Sequence, residues 1–297
     1  MIYFVLPDFY HNFKLNNFLY ELTMEKGSPV YKYPVKFNAA SGTFPFSLWN
    51  GQYNCIDGAL YDGKLFPLFR DYSCYKDMMV PVRLNCSNSC LDDFMFDDEH
   101  MNTILRVNEN ISNYIEASNL KLIDYISANY PKYRFVFSDN ADVINELTPD
   151  MINTLAEFDQ LDKIKIPFKY AKDFDFLKEI KHRQKMEIVV NSLCPITCPS
   201  YKECRIASDE AQTNYSCANP FAGCYKNNDY TWNIQNTISL DDINEKYIPL
   251  GFNHFSFAPM PNMELYNKIL YYFSYFFKPE EVINMMKLFN DQKGIFK

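Results

Sequence analysis

Short runs of β-branched and aromatic residues recur along this chain, and stretches with helical periodicity separate most of them. Runs of this kind are typical of buried strands. They predict eight strands, at 2–6, 35–38, 80–85, 113–116, 134–137, 163–167, 187–190 and 253–257. Helical spacing of apolar residues predicts helices at 99–111, 120–129, 174–181, 240–247 and 263–277, with a last one starting near 279. Strands that alternate with helices form a mainly parallel sheet covered by helices.

Eight such repeats are enough to close a barrel. The predicted fold class is therefore α/β, a TIM-type (β/α)8-like barrel with some irregular elements, and an open α/β sheet is the alternative. We predict a single barrel-like domain over 1–297, with a cysteine-rich metal-binding segment at 191–237 inserted before the last strand and C-terminal helices at 262–292. Ser239 suits a helix start and Gly251 a helix end.

Two long irregular segments are predicted, at 39–79 and 194–237. Long loops in a compact domain are commonly functional, so we expect the chemistry there.

The charge balance and the sequences at the two chain ends argue against a nucleic-acid-binding, a secreted or a membrane-spanning protein. The formal net charge is −8 and the pI is about 5.1, which disfavours nucleic acid unless a local basic groove is present. The amino terminus lacks the basic region and cleavage site of a secretory signal, and the apolar run at 270–277 is too short to span a bilayer. We therefore expect a cytoplasmic protein without membrane contact, whose nine cysteines are reduced, buried or metal-bound.

Five of the nine cysteines lie between Cys194 and Cys224. Three residues separate Cys194 from Cys198, Cys204 follows six positions later, and Cys217 and Cys224 lie further on. Four thiolates from this group can meet at one metal centre and leave one cysteine spare. Zinc sites usually show tight pairs of ligands, so the wide later spacings favour an iron–sulfur cluster, with zinc as the alternative. The other interpretation is that these cysteines are small buried side chains.

The remaining cysteines, Cys55, Cys74, Cys86 and Cys90, are scattered. We interpret Cys86 and Cys90 as core residues rather than as half of a second metal site. Cys55, on the first long segment, is an alternative further ligand.

The cysteine segment resembles a known family. Asn191, Cys194, Cys198, Pro199 and Lys202, in VNSLCPITCPSYKEC, resemble a motif of bacterial proteins distantly related to collagenase-like peptidase family thirty-two, of unknown catalytic type. FPFSLWNG at 44–51, NYPKY at 129–133 and EKYIPLGFNHF at 245–255 support the resemblance. Only the cysteine motif is specific.

The resemblance implies a barrel of the triosephosphate-isomerase type. Wider relatives hold a 4Fe–4S cluster and support oxygen-independent hydroxylation of RNA bases or quinone precursors, and others are peptidases. By this resemblance the implied metal ligands are Cys194 and Cys198, then Cys217 and Cys224, with Cys204 as a competing ligand. Where many members carry Lys-Ile-Glu-Gly-Arg after the late strand, this chain has Ser-Phe-Ala-Pro-Met at 256–260, so activity that depends on those charged groups is not expected.

Polar residues near predicted strand ends supply catalytic candidates. The carboxyl ends of barrel strands face the mouth where active sites lie, so we expect a cluster there. The residues expected at the mouth are Asn85, Asn88, Ser138, Asp139, Asn191 and His254. The catalytic candidates are Asn50, Asn85, Ser138, Asn191 and His254. Each has a structural alternative, because such residues also satisfy turns and helix caps, and a histidine between phenylalanines is commonly a core residue.

Trp49 precedes one of these candidates, Asn50. Its indole either stacks on a planar substrate or packs against the barrel, and we favour packing.

Two functional hypotheses follow. The first is an iron–sulfur enzyme with its cluster near the barrel mouth, acting on a small planar or anionic substrate. The second is a binding or scaffold protein that holds zinc or a structural cluster and offers an aromatic surface to a protein partner. An enzyme predicts a polar pocket at the mouth, whereas a scaffold predicts a mouth filled by apolar side chains. Modification of RNA bases would require a basic groove.

Overall fold

A computed structural model describes residues 1–9, 12–24, 31–43, 47–51, 80–110, 112–143, 145–192, 198–213, 237–260 and 263–293. Eight parallel strands close into a barrel in chain order, and β1 pairs with both β2 and β8. The strands are β1 Ile2–Leu6, β2 Val35–Gly42, β3 Val82–Cys86, β4 Tyr114–Ala117, β5 Arg134–Phe137, β6 Leu161–Ile166, β7 Met186–Val189 and β8 His254–Ser256. The predicted TIM-type barrel is confirmed, and the open sheet is excluded.

Helices surround the barrel. In the described part of the chain they are α1 Phe13–Met24, α2 Glu99–Asn108, α3 Leu120–Asn129, α4 Pro149–Ala156, α5 Phe168–Ala171, α6 Phe174–Glu179, α7 Tyr201–Thr213, α8 Leu240–Asp242, α9 Ile248–Leu250, α10 Leu265–Phe276 and α11 Val282–Lys293. A π-helical turn, Ile243–Tyr247, joins α8 to α9. Short 3-10 helices lie at Asp93–Asp97, Asp139–Val143, Arg183–Lys185 and Pro279–Glu281.

The caps show why several helices begin and end where they do. The Asp98 carboxylate accepts a hydrogen bond from the backbone N–H of Met101 at the start of α2. The Ser239 hydroxyl accepts a hydrogen bond from the backbone N–H of Asp242 at the start of α8, and Gly251 follows the end of α9 with a φ of 96°. Both residues were predicted to lie at these helix ends. These contacts satisfy backbone groups that a helix end leaves unpaired.

The structure corrects the prediction in two irregular regions. β2 continues to Gly42, beyond the residue at which a loop was predicted to begin. The cysteine-rich segment, predicted to be irregular, contains the 13-residue helix α7. Helices α1 and α4 were also not predicted.

An aromatic layer packs between the barrel and α10. The Phe4 ring lies 5.0 Å from the ring of Phe276 and 5.7 Å from that of Phe255, and all three side chains are buried. Burial of each such side chain contributes roughly 1.5–3 kcal/mol. In the described part of the chain, no helix has the length and apolarity needed to cross a membrane.

Candidate functional site

Charged side chains fill the centre of the barrel. The Arg83 guanidinium on β3 donates two hydrogen bonds to the Glu187 carboxylate on β7, at 2.6 and 2.7 Å. β3 and β7 are not neighbours in the sheet, so this pair crosses the lumen. Arg83 also lies 3.6 Å from Glu116 on β4, and all three side chains are at most 2% exposed. The lumen therefore contains a buried ion-pair network.

The network fixes the protonation state of its members. Burial raises the pKa of the Glu187 carboxyl, but the charge and hydrogen bonds of Arg83 outweigh burial and hold that pKa at about 2. For the Arg83 guanidinium, burial lowers the pKa, and Glu187 and then Glu116 more than restore it. Both groups therefore stay charged at neutral pH.

Lys165 extends the network toward the carboxyl ends of the strands. Its ammonium lies 2.8 Å from the Glu116 carboxylate and 3.3 Å from that of Asp139, the second residue after β5. The Ser138 hydroxyl donates to Glu116 at 3.1 Å. Burial lowers the pKa of Lys165, but the charges of Asp139 and Glu116 outweigh it, so the pKa is raised overall. Lys165 is thus a fixed cation that can stabilise negative charge but cannot serve as a base.

Helix α7 is bound to the mouth of the barrel by a buried carboxylate. Asp209 is fully buried and accepts hydrogen bonds from the backbone N–H and the hydroxyl of Ser89, at 2.9 and 2.5 Å. It also accepts from the Asn140 side-chain amide at 2.6 Å. Ser89 follows β3 and Asn140 follows β5, so one side chain ties α7 to two strand ends.

Further polar contacts hold the same helix. The Gln212 amide donates to the backbone carbonyl of Ser47 at 2.8 Å. The Arg205 guanidinium lies 3.8 Å from the carboxylate of Asp139, which is itself paired with Lys165. Arg205 therefore links α7 to the charged lumen, and the contacts described above hold α7 to the strand ends through polar groups.

The segment at 47–51, which follows β2, packs closely against the loop after β3. Trp49 is fully buried, donates its indole N–H to the Met95 carbonyl at 2.8 Å and lies edge-on to the Tyr125 ring. The favoured packing role of Trp49 is confirmed. A Cβ at Gly51 would lie 2.3 to 2.5 Å from backbone atoms of Ser87 and Asn88, so only glycine permits this approach.

We predict that Gly51→Ala lowers the free energy of unfolding by about 2–3 kcal/mol, because the added methyl group meets backbone that cannot move aside. Urea denaturation followed by circular dichroism measures the change. Gly251→Asn is the comparison: a Cβ there would make only ordinary van der Waals contacts with the Arg183 side chain, at 3.8 and 3.9 Å, and asparagine is among the residues that best tolerate a left-handed backbone, so a smaller loss of about 1 kcal/mol is expected. Equal stability of Gly51→Ala and the natural protein would contradict the close packing.

The cysteines are only partly within the described residues. Cys198 lies three residues before the start of α7 and Cys204 lies in its first turn, and both side chains are partly exposed. Cys194, Cys217 and Cys224, and the scattered Cys55 and Cys74, lie outside the described residues. Cys86 is buried, as predicted, and burial raises the pKa of its thiol. Cys90 is half-buried against α7 rather than in the core, and burial raises its pKa to about 11.

Among the residues described, no group of three or more histidine, cysteine or acidic side chains is arranged to hold a metal ion.

Several polar candidates do lie at the carboxyl ends of strands. The Asn191 side chain accepts from the backbone N–H of Ala258 at 2.7 Å and so ties the end of β7 to the chain after β8. Asn85 accepts from the hydroxyl and the backbone N–H of Ser87. Asn50 is buried beside Trp49. The geometry gives Asn85 and Asn191 local structural contacts, whereas Ser138 joins the charged network.

His254 does not lie at the mouth, where it was expected. It is the first residue of β8, pairs in register with Tyr3 near the start of β1, and stacks on the Tyr3 ring at 4.9 Å. Both positions are at the amino ends of strands, which is the opposite end of the barrel. Burial, and then the charge of Lys163, lower the pKa of His254 to about 4, so its imidazole is neutral at pH 7.

The residues that sequence reasoning missed are the lumenal charges and Asp209. The sequence does contain an indication of the lumenal charges. Three charged residues each stand between apolar residues within a strand: Arg83, Glu116 and Glu187. Strands of parallel sheets are normally apolar throughout, so a charge at such a position indicates an inward-facing group with a partner. For Asp209 the sequence offers no comparable signal.

Comparison with known proteins supports the fold alone. No protein-family model matches the chain, and no curated protein matches its sequence. A solved structure, that of the U32 peptidase Mk0906, matches with a TM-score of 0.52 over 88% of this chain and 94% of that chain. The two sequences are 12% identical. The chain therefore shares the barrel fold of that structure.

Proposed function

We propose that this chain is a barrel enzyme in which cysteines of 194–224 hold a 4Fe–4S cluster beside the mouth, and that it acts on a small planar or anionic substrate. One observation carries the proposal: Asp209 binds the helix of the cysteine segment to the ends of β3 and β5. In barrel enzymes, reactions take place at this end. A cluster next to α7 would therefore lie close to the chemistry.

The described cysteines are compatible with a metal centre. Cys198 and Cys204 flank the start of α7 and are partly exposed, so their thiols are accessible, in contrast to the buried Cys86. Thiolates are the ligands of both iron–sulfur clusters and zinc. We propose Cys194, Cys198, Cys217 and Cys224 as ligands, with Cys204 as the competitor. When bound, a cluster of this kind supplies electron transfer or Lewis acidity.

The charged lumen supports the substrate class. Lys165 is held protonated between Glu116 and Asp139 at the mouth end of the network. A preorganised cation in a largely buried site stabilises negative charge on a bound molecule without reorganisation. In this proposal Lys165 orients an anionic or polarisable group of the substrate, and Arg205 connects that position to α7.

The ligand assignment is tested by a double variant, Cys194→Ser with Cys198→Ser, purified without oxygen. We expect the natural protein to contain iron and acid-labile sulfide and the variant to lose both. Cys86→Ala is the control, since Cys86 is a core residue, and it should retain the metal. Zinc in place of iron would favour the scaffold hypothesis, and unchanged iron in the double variant would contradict the assignment.

Peptidase activity is a second candidate, because the structural neighbour is named as a peptidase. Digestion of gelatin by the purified protein tests it. Cleavage that persists in the metal-free double variant would favour this candidate over a cluster enzyme.

A further inference from the structure

One face of α10 presents polar groups to the loop after β1. Lys268 and Tyr272 are four positions apart in this helix, so their side chains are neighbours on the same face. The Lys268 ammonium donates to the Asn12 side-chain oxygen at 3.1 Å, which places this face against the start of α1. The loop follows β1, so the contact lies near the carboxyl ends of the strands and apart from the α7 contacts with β3 and β5.

Lys268 is a buried ammonium that has no carboxylate partner among the described residues. Its side chain is 5% exposed, and within the described residues it forms the Asn12 hydrogen bond and no ion pair. Burial lowers its pKa, and the charge of Asp8 opposes this shift without cancelling it. An ammonium has three N–H donors, so two remain for another acceptor. A buried charge is normally paired, and an acceptor with negative charge is what this position lacks.

Tyr272 supplies a second donor that lacks an acceptor. Its side chain is fully buried, and its hydroxyl has no hydrogen-bond partner in the described structure. Buried hydroxyls are normally hydrogen-bonded. Burial raises the pKa of Tyr272 well above its usual value, so the group remains a neutral donor. Two neighbouring buried groups on one helix, the Lys268 ammonium and the Tyr272 hydroxyl, therefore carry N–H and O–H donors for which the described residues supply no acceptor beyond Asn12.

The facing loop is held in a defined shape. The side-chain amides of Asn12 and Asn16 both donate to the Pro7 carbonyl, at 3.4 and 3.1 Å. Asp8 has a positive φ of 55°, a backbone conformation uncommon for residues other than glycine. The Asn12 oxygen that accepts from Lys268 is thereby fixed in position.

We propose that Lys268 and Tyr272 form a binding subsite for a small monocarboxylate at the β1 and α10 side of the barrel. A carboxylate supplies the acceptor atoms that both donors lack, and its single charge matches the single ammonium. The Asp8 carboxylate is close enough to act on Lys268, so a dianion such as phosphate is disfavoured. The subsite does not depend on the metal centre.

Binding of acetate to the anaerobically purified protein tests the subsite. We expect sodium acetate to raise the Tm in a saturable manner relative to sodium chloride at equal ionic strength, and sodium phosphate to have no such effect. Lys268→Met and Tyr272→Phe should each weaken the acetate Kd by about tenfold or more, because each removes one donor. Lys178→Met, at an exposed lysine, should leave the Kd unchanged.

Three results would overturn the proposal: acetate acting no differently from chloride, phosphate binding in preference to acetate, or acetate binding unchanged in both variants. Tyr272→Phe removes only a hydroxyl, so it keeps the test valid if Lys268→Met does not fold. Iron and sulfide contents measured on the same samples show separately whether the proposed cluster is present.

Discussion

Replacing Arg83 with methionine is expected to lower the free energy of unfolding by about 3–5 kcal/mol. The substitution keeps a long side chain but removes the cation from the buried Glu187 carboxylate, and it leaves Lys165 as the cation paired with Glu116. Breaking one side of a buried ion pair costs this much because the remaining charge stays desolvated. Folded proteins typically have a free energy of unfolding of roughly 5–15 kcal/mol, so the expected loss is a large share of the stability of the barrel. Urea denaturation measures it.

Two further variants identify the cause of that loss. Adding Glu187→Gln to Arg83→Met removes one uncompensated charge and should recover about 1–2 kcal/mol. Lys121→Met breaks the exposed Lys121–Asp93 pair and should change stability by no more than about 0.5 kcal/mol. A loss below about 1 kcal/mol for Arg83→Met, or no recovery in the double variant, would mean that the lumenal pair does not stabilise the barrel.

Replacing Asp209 with alanine is expected to release α7 from the mouth and to lower the free energy of unfolding by about 3 kcal/mol or more. Three donors, two from Ser89 and one from Asn140, would lose their acceptor in a buried place. Each buried donor left unsatisfied costs about 1–3 kcal/mol. Because α7 carries Cys204 and follows Cys198, we also expect iron and sulfide per chain to fall.

The matched control is Glu203→Ala, an exposed acidic residue on the same helix, which should leave both stability and metal content unchanged. Asp209→Asn should have a stability and a metal content between those of the natural protein and Asp209→Ala. Asparagine keeps one oxygen acceptor, but its N–H₂ group would face donors that need an acceptor. If Asp209→Ala kept its stability but lost metal, the helix anchor would be unnecessary for the fold. If it kept both, the proposed connection between α7 and the mouth would be wrong.

The barrel was predictable because its strands carry a strong local signal. Each of the eight predicted runs overlaps a strand, since β-branched and aromatic residues that pack outward against helices stand out from their surroundings. The first and last residues of the strands were predicted less accurately than their existence. β8 begins at His254, so this residue lies at the amino end of its strand rather than at the mouth. Position along a short strand is fixed by pairing with β1 and β7, which a single sequence does not display.

Helix α7 was missed for a physical reason. Among its buried residues are Arg205, Ser208, Asp209 and Gln212, so the face that it buries is largely polar. Hydrophobic periodicity detects helices that bury an apolar face. The buried face of α7 is instead held by hydrogen bonds to loops that are distant in sequence. The partners of Asp209 lie 120 and 69 residues away in sequence. Contacts of this range become visible only once the fold is known.

The lumenal charges and the α10 face depend equally on the closed barrel. Arg83 and Glu187 are 104 residues apart and meet because β3 and β7 lie on opposite sides of the ring. Lys268 meets Asn12 because α10 packs beside α1 after the chain has closed the barrel. The resemblance in the cysteine motif pointed to the segment, but the residues that attach it to the barrel came from the structure.

The most direct test of the central claim is the iron, zinc and acid-labile sulfide content of the natural protein, purified without oxygen. The account predicts iron and sulfide in about equal amounts, near four of each per chain, as a 4Fe–4S cluster requires. Protein that is folded and contains neither iron nor sulfide would contradict it.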